Sequence, residues 1–136
     1  MPPVFAKLNL KGQQEILVVD PPPAFEPELR ALEGVTVLRD PAKAATVAFA
    51  LAFVTTQARL DALSDLLAAK APGDAVLWFA YPKASSRRQR CEFNHDTGWD
   101  VIRALGFDSV RQVAIDEDWS ALRFRRVEYI GRSPKG

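Results

Sequence analysis

No glycine stands between Gly12 and Gly34. The gap matters because it holds the first strand-like run, residues 15–19, and the turn that follows. A parallel α/β sheet that binds a nucleotide places a glycine loop there, since glycine turns tightly and lets the backbone approach a phosphate or nucleoside. Here Asp20 is followed by Pro21, Pro22 and Pro23. Proline fixes φ and has no N–H to donate, so this segment cannot cradle a phosphate in that way.

Cysteine is nearly absent. With Cys91 alone, the chain has no internal disulfide and no cysteine-ligated zinc site, and it suits a reducing cytoplasm. A membrane-spanning run is missing too. The longest apolar stretch, residues 44–54, falls short of the ~20 residues a bilayer needs and reads as a buried strand. Residues 1–11 lack the continuous apolar core of a signal peptide. Neither sign of charge prevails: 18 basic and 17 acidic residues leave a net charge of +1. That balance argues against a protein whose main work is neutralising nucleic-acid phosphates. The expectation is a soluble cytoplasmic protein with neither membrane nor nucleic acid as a partner.

The 136 residues, 48% of them hydrophobic, suit one α/β domain spanning 1–136. Such a chain buries roughly two-thirds of its unfolded surface and needs no metal or disulfide to hold together. Residues 1–14 read as an irregular leader and 131–136 as a frayed tail. Strands are predicted at 15–19, 35–38, 46–54 and 75–81. Between them lie a brief helix at 24–32, with Pro27 in its first turn, and a clear helix after Thr55 and Thr56. Either threonine can cap that helix. Its stripe is Leu60, Leu63 and Leu67, with Asp61, Ser64 and Asp65 away from it, and Pro72-Gly73 ends it. A polar loop covers 82–94, a further helix 96–105, and strands at 109–115 and 121–129 form an antiparallel hairpin across the acidic turn Asp116-Glu117-Asp118. Alternating strands and helices imply a mostly parallel sheet in a three-layer arrangement. One join is short. Residues 39–45 are fewer than the dozen or so a parallel crossover needs, so either a strand boundary shifts or the crossover is a single helical turn.

The second half carries a resemblance. Tyr81-Pro82-Lys83-Ala84-Ser85-Ser86, then Asn94-His95-Asp96, Trp99, and the run from Val113 through Asp116-Glu117-Asp118-Trp119 to Phe124 resemble a family of small bacterial domains of unknown function. Those domains are similar to shortened class I S-adenosylmethionine-dependent methyltransferases, with a Rossmann-like fold. The likeness covers residues 75–126. It implies a sheet that ends in an antiparallel hairpin with the last strand inside it, and it supplies no activity. The family usually has Arg where His95 stands. Asp40 alone stands where such methyltransferases place a ribose-holding acid.

Ligands of open parallel sheets sit beyond the C-terminal ends of the strands. Asp20-Pro21, Thr55-Thr56, Tyr81-Pro82-Lys83 and the turn Asp116–Trp119 all fall on that rim. The candidate ligand-binding residues are Lys83, Arg87, Arg88, Asp116, Glu117 and Trp119. Lys83, Arg87, Arg88 and Arg90 can grip a phosphate or carboxylate, or they can pair with Asp116, Glu117 and Asp118. The acidic turn can hold a hard cation or be a solvated hairpin turn. Trp119 can stack on a planar ligand or plug the sheet end. His95 beside Asp96 invites acid–base chemistry, but a turn or a helix cap explains the pair equally. Ser85, Ser86 and Cys91 lie in no nucleophile elbow. Of Arg123, Arg125 and Arg126 on the last strand, at least one needs an internal partner, expected among Asp116, Glu117 or another rim carboxylate. No catalytic, cofactor-binding or metal-binding residue is assigned. Three functions compete: a non-catalytic methyltransferase-like scaffold acting through a protein partner or homo-oligomer, a binder of or enzyme on a small anionic ligand at the rim, and a working methyltransferase.

Overall fold

The computed structural model describes residues 2–87 and 89–130. Its centre is one six-stranded sheet, β1 (Glu15–Val19), β2 (Thr36–Leu38), β3 (Phe49–Phe53), β4 (Val76–Pro82), β5 (Phe107–Ala114) and β6 (Trp119–Arg126). The spatial order is β2-β1-β3-β4-β6-β5. β2, β1, β3 and β4 run parallel, and β6 is antiparallel to both β4 and β5. The hairpin strand β6 is therefore inside the sheet, and β5 is its outer edge. β3 and β4 are buried along their whole length, as expected of strands covered on both faces.

The first helix, α1 (Pro3–Lys7), corrects the expected irregular leader. Pro3 begins it, where a missing N–H costs nothing. Asn9, at φ 65°, ends it in the left-handed conformation that Asn tolerates. Leu10 N–H donates to Phe5 O and Asn9 N–H to Ala6 O, which closes a Schellman motif. Phe5, Leu8 and Leu10 are then buried. Trp78, in the middle of β4, donates its indole Nε1–H to Leu8 O at 2.8 Å, so the segment is pinned to the core.

α1, α2 (Glu26–Arg30) and a 3-10 turn at Pro23–Phe25 cover one face of the sheet, where Phe5, Phe25, Phe49, Phe53, Trp78 and Trp119 form one core. α3 (Gln57–Lys70) and α4 (Asp100–Ala104) cover the other, around Phe79, Tyr81, Phe93, Trp99 and Phe124. On α3, Thr56 Oγ1 accepts from Arg59 N–H at 3.2 Å, which satisfies an otherwise orphaned donor. Leu60, Leu63 and Leu67 face the core as expected. Ser64 joins them, contrary to expectation, because its hydroxyl donates to Leu60 O at 2.7 Å and needs no water. The short join is explained from both ends. β3 starts at Phe49 rather than residue 46, and the crossover holds a single 3-10 turn, Pro41–Lys43. Lys70, at the end of α3, clamps that turn by donating to Pro41 O and Ala44 O. The helix expected at 96–105 is shorter, because Asn94 Oδ1 instead accepts from Asp96 N–H and Thr97 N–H and shapes a turn before α4.

Candidate functional site

The strand order reverses between β1 and β3, since β2 lies to one side of β1 and β3 to the other. The crevice beyond the C-terminal ends of those two strands is where an open α/β sheet ordinarily holds its ligand. In this protein the polar side chains around it are paired with one another. Asp20 makes the turn, at φ 53°, a left-handed conformation that Asp reaches more readily than most residues other than Gly. The three prolines follow directly. Asp20 Oδ2 pairs with Arg59 on α3 at 3.2 Å, which bridges the end of β1 to the helix after β3. Beyond β2, Arg39 makes a bidentate pair with Glu26 at 2.7 and 2.8 Å. This pair holds the Glu26 carboxyl below its usual range, chiefly through the hydrogen bond from Arg39. Asp40 accepts from Ala42 N–H and so caps its own turn.

The N-terminus of α3 is occupied as well. Glu92 reaches it from 35 residues further along, and its Oε1 accepts from Gln57 N–H at 2.9 Å. Glu92 N–H donates to Thr55 O. A carboxylate is favourable at a helix N-terminus, where unpaired N–H groups carry partial positive charge. Gln57 ties the same loop again, donating through Nε2 to Gly98 O at 2.8 Å. Gly98 has φ 99°, and a Cβ there would lie 2.5 Å from Phe93 Cβ, so the loop passes too close to its neighbour for a side chain.

What stays open lies further along the rim, at the ends of β3, β4 and β6. A cleft of about 1250 Å³ is lined by Thr55, Tyr81, Lys83, Arg87, Gln112 and Ser120, and walled by residues 89–97. Tyr81 and Ser120 are register partners across β4 and β6, both buried. Gln112 Nε2 donates to Tyr81 Oη at 3.1 Å. Burial pushes the Tyr81 phenol up to about 12, so it stays protonated near neutrality. Trp99 supports the wall. It is 1% exposed, its Nε1–H donates to Asn94 O and His95 O, and its ring packs on Phe79, Tyr81, Phe93 and Phe124.

The candidate residues separate into two groups. Lys83 and Arg87 line the cleft, with Arg90 beside them. None of these three side chains has an ion-pair partner among the described residues. Arg88 lies outside the described residues. Asp116, Glu117 and Trp119 do not line the cleft. Asp116 Oδ1 accepts from Asp118 N–H and Trp119 N–H and so braces its own turn. Glu117 is exposed. Trp119 is buried on the opposite face of the sheet, edge-on to Phe53 with ring centroids 5.1 Å apart. The structure therefore corrects the proposed stacking role, because Trp119 is a core residue. The acidic turn anchors the cationic loop through other atoms than expected: Lys83 N–H donates to Asp118 O and Ser86 Oγ–H to Asp118 Oδ1.

His95 Nδ1 lies 3.1 Å from Asp96 Oδ1 on an exposed stretch of the wall. Burial pushes the Cys91 thiol up, away from the thiolate a nucleophile needs. Two of the three β6 arginines find partners at the other end of the sheet, not at the rim, while Arg123 Nε is buried with no hydrogen-bond partner among the described residues. Arg125 makes a bidentate pair with Asp74 at 2.7 Å, before β4. Arg126 donates to Ala68 O and Ala71 O at the end of α3 and lies over the Phe107 ring. Strand polarity explains the correction. β6 starts at the rim and ends opposite it, so residues 123–126 are carried away from Asp116 and Glu117. Sequence reasoning missed Ser120, Gln112 and Glu92. The first two carry a signal, since each sits on the strand face shared with Tyr81, whereas a cap from 35 residues away leaves none.

No family model matches the chain, and no curated protein matches it. Solved structures do. A SAM-dependent methyltransferase from Aquifex aeolicus superposes with a TM-score of 0.62 at 17% identity, over 91% of this chain and 88% of that one. Magnesium protoporphyrin IX methyltransferase from Synechocystis, solved with bound SAH, gives 0.56 at 13%, over 90% and 78%. The fibrillarin pre-rRNA processing protein of Methanococcus jannaschii gives 0.54 at 13%, over 85% and 67%. With six strands, four of them parallel, and an antiparallel strand inserted beside the edge, the chain has the Rossmann-like fold of the class I S-adenosylmethionine-dependent methyltransferases.

Proposed function

We propose that this domain is a non-catalytic methyltransferase-like scaffold that acts through a protein partner or a second copy of itself, in the cytoplasm. The end of β1, where the polar groups are paired and the donors are missing, carries the reading. Pro21, Pro22 and Pro23 offer no N–H, Asp20 is paired with Arg59, Asp40 caps its own turn, and Glu92 sits on the N-terminus of α3. S-adenosylmethionine does not fit residues arranged in this way. No helix among the described residues is long and apolar enough to cross a membrane.

Calorimetric titration with S-adenosylmethionine and S-adenosylhomocysteine is expected to give no binding heat up to millimolar concentration. Micromolar binding of either would overturn the reading. Light scattering and affinity capture test the other half: a monomer that captures no protein leaves the scaffold without a partner. A second reading, a small anionic ligand at the rim, is favoured by one observation. Lys83 and Arg87 line the cleft with no ion-pair partner among the described residues. Thermal shift against phosphorylated metabolites and carboxylates tests it, since a ligand that prefers the folded state raises the melting temperature.

A further inference from the structure

We infer that the open cleft takes a phosphate monoester, with the hydroxyls of Ser120 and Tyr81 donating to its phosphoryl oxygens and Lys83 and Arg87 balancing its charge. The inference rests on the second reading above and narrows it to one ligand class. It starts from Ser120, which is 7% exposed, lines the cleft, and has no side-chain hydrogen-bond partner among the described residues. Its oxygen is not among the buried unpartnered atoms, so it opens on the cleft and is free to donate to what enters there. Its register partner Tyr81 is in the same condition for a different reason. Tyr81 Oη already accepts from Gln112 Nε2, so its own O–H is left to donate, and it has no acceptor among the described residues. Both residues stand on one face of the sheet and line the same cleft. The Thr55 hydroxyl lines that cleft as well and is equally unpartnered among the described residues.

The charge balance agrees. The carboxylate nearest in sequence to the cationic loop, Glu92, is spent on the α3 N-terminus, and Asp96 faces His95. Lys83 and Arg87 are left without ion-pair partners among the described residues. Lys83, Arg87 and Arg90 outnumber Glu92 and Asp96, the two carboxylates that also line the cleft, and form no ion pair with either, so the cleft suits a ligand rich in acceptors. A phosphate monoester brings a charge of about −1.5 to −2 and three acceptor oxygens near neutrality, against one charge and two oxygens for a carboxylate. Because Tyr81 stays protonated, it adds a donor and not a repelling charge.

Phenyl phosphate, benzoate and phenol, titrated calorimetrically into the whole chain at pH 7.5, separate the possibilities. Phenyl phosphate is expected to bind at least tenfold more tightly than benzoate, and phenol not at all. Ser120→Ala and Tyr81→Phe are each expected to weaken phenyl phosphate about tenfold, the scale of one lost hydrogen bond to a charged group, with melting curves checking that both variants fold. Benzoate binding as tightly as phenyl phosphate would overturn the monoester assignment and leave an anion site standing. Failure of every anion would overturn both readings. Phenyl phosphate held equally by the parent and both variants would remove Ser120 and Tyr81 from the site.

Discussion

The two ends of the same sheet rim are built on opposite plans. At the β1 end the charged side chains are engaged: Asp20 with Arg59, Glu26 with Arg39, and Asp40 with Ala42 N–H. At the β4–β6 end, the hydroxyls of Thr55 and Ser120 and the cations Lys83 and Arg87 line a cleft and engage nothing among the described residues. One sheet supports both, because the residues after each strand are chosen independently of the strands themselves. A fold can therefore keep its architecture while its ligand corner is rebuilt, and function has to be sought residue by residue along the rim.

The contrast breaks most easily at Trp99, which holds the wall of the open end. Trp99→Ala removes a buried ring and two hydrogen bonds, and is expected to lower stability by about 3–5 kcal/mol. Denaturant unfolding measures it, and a loss under about 1 kcal/mol would mean that the wall stands without this ring. Gly98→Ala comes next. Its Cβ meets Phe93 at a positive φ, a conformation that costs of order 1–3 kcal/mol when forced on another residue. The same unfolding assay measures the loss, and native-state hydrogen exchange should show the amides of residues 92–98 exchanging faster first.

Glu92→Gln sharpens the comparison, since it removes the charge but keeps the shape at the α3 N-terminus. A loss of about 0.3–1 kcal/mol is expected, shrinking with added salt. A salt-independent loss would assign Glu92 a packing role. Arg59→Ala tests the bridge at the β1 end. Both partners are about half exposed, so less than about 1 kcal/mol is expected. A larger loss would make the Asp20 bridge a structural keystone.

The smallest effect is on pH. The Asp74 and Glu26 carboxyls are held below their ordinary range, first by hydrogen bonds from Arg125 and Arg39. Their folded pKa is lower than the unfolded one, so the stability they add is present above about pH 4 and is lost as pH falls through the folded value. Both pairs are largely solvated, so the contribution is small. Asp74→Asn should flatten the acid limb of a melting-temperature profile and leave pH 5–7 unchanged, and an unchanged acid limb would count against the pair.

Much of the fold was legible from the sequence because the burial is periodic. The apolar runs read at 46–54 and 75–81 and the Leu60-Leu63-Leu67 stripe state which surfaces are covered. The turn chemistry at Thr56 and Pro72-Gly73 states where α3 starts and stops. The α1 segment was legible in principle, since Val4, Phe5 and Leu8 share a helix face, but a five-residue helix offers too little period to read. The site was less legible. Lys83 and Arg87 announce themselves by charge, and the structure places both at the cleft. Trp119 was misread because alternate residues of a strand face opposite sides, and a shift of one position decides whether an indole meets a ligand or the core. Glu92 and Arg125 depend on partners 35 and 51 residues away, and local pattern carries nothing about such distances.

The bond from Trp78 to Leu8 has a consequence for synthesis. The acceptor is made 70 residues before its donor, and the strand that carries the donor comes fourth. Translation proceeds at about 5–20 residues per second, so α1 waits several seconds for that donor. For that interval the Leu8 carbonyl lacks the indole that pins it, although Phe25 and Phe49, which pack on Phe5, are made earlier.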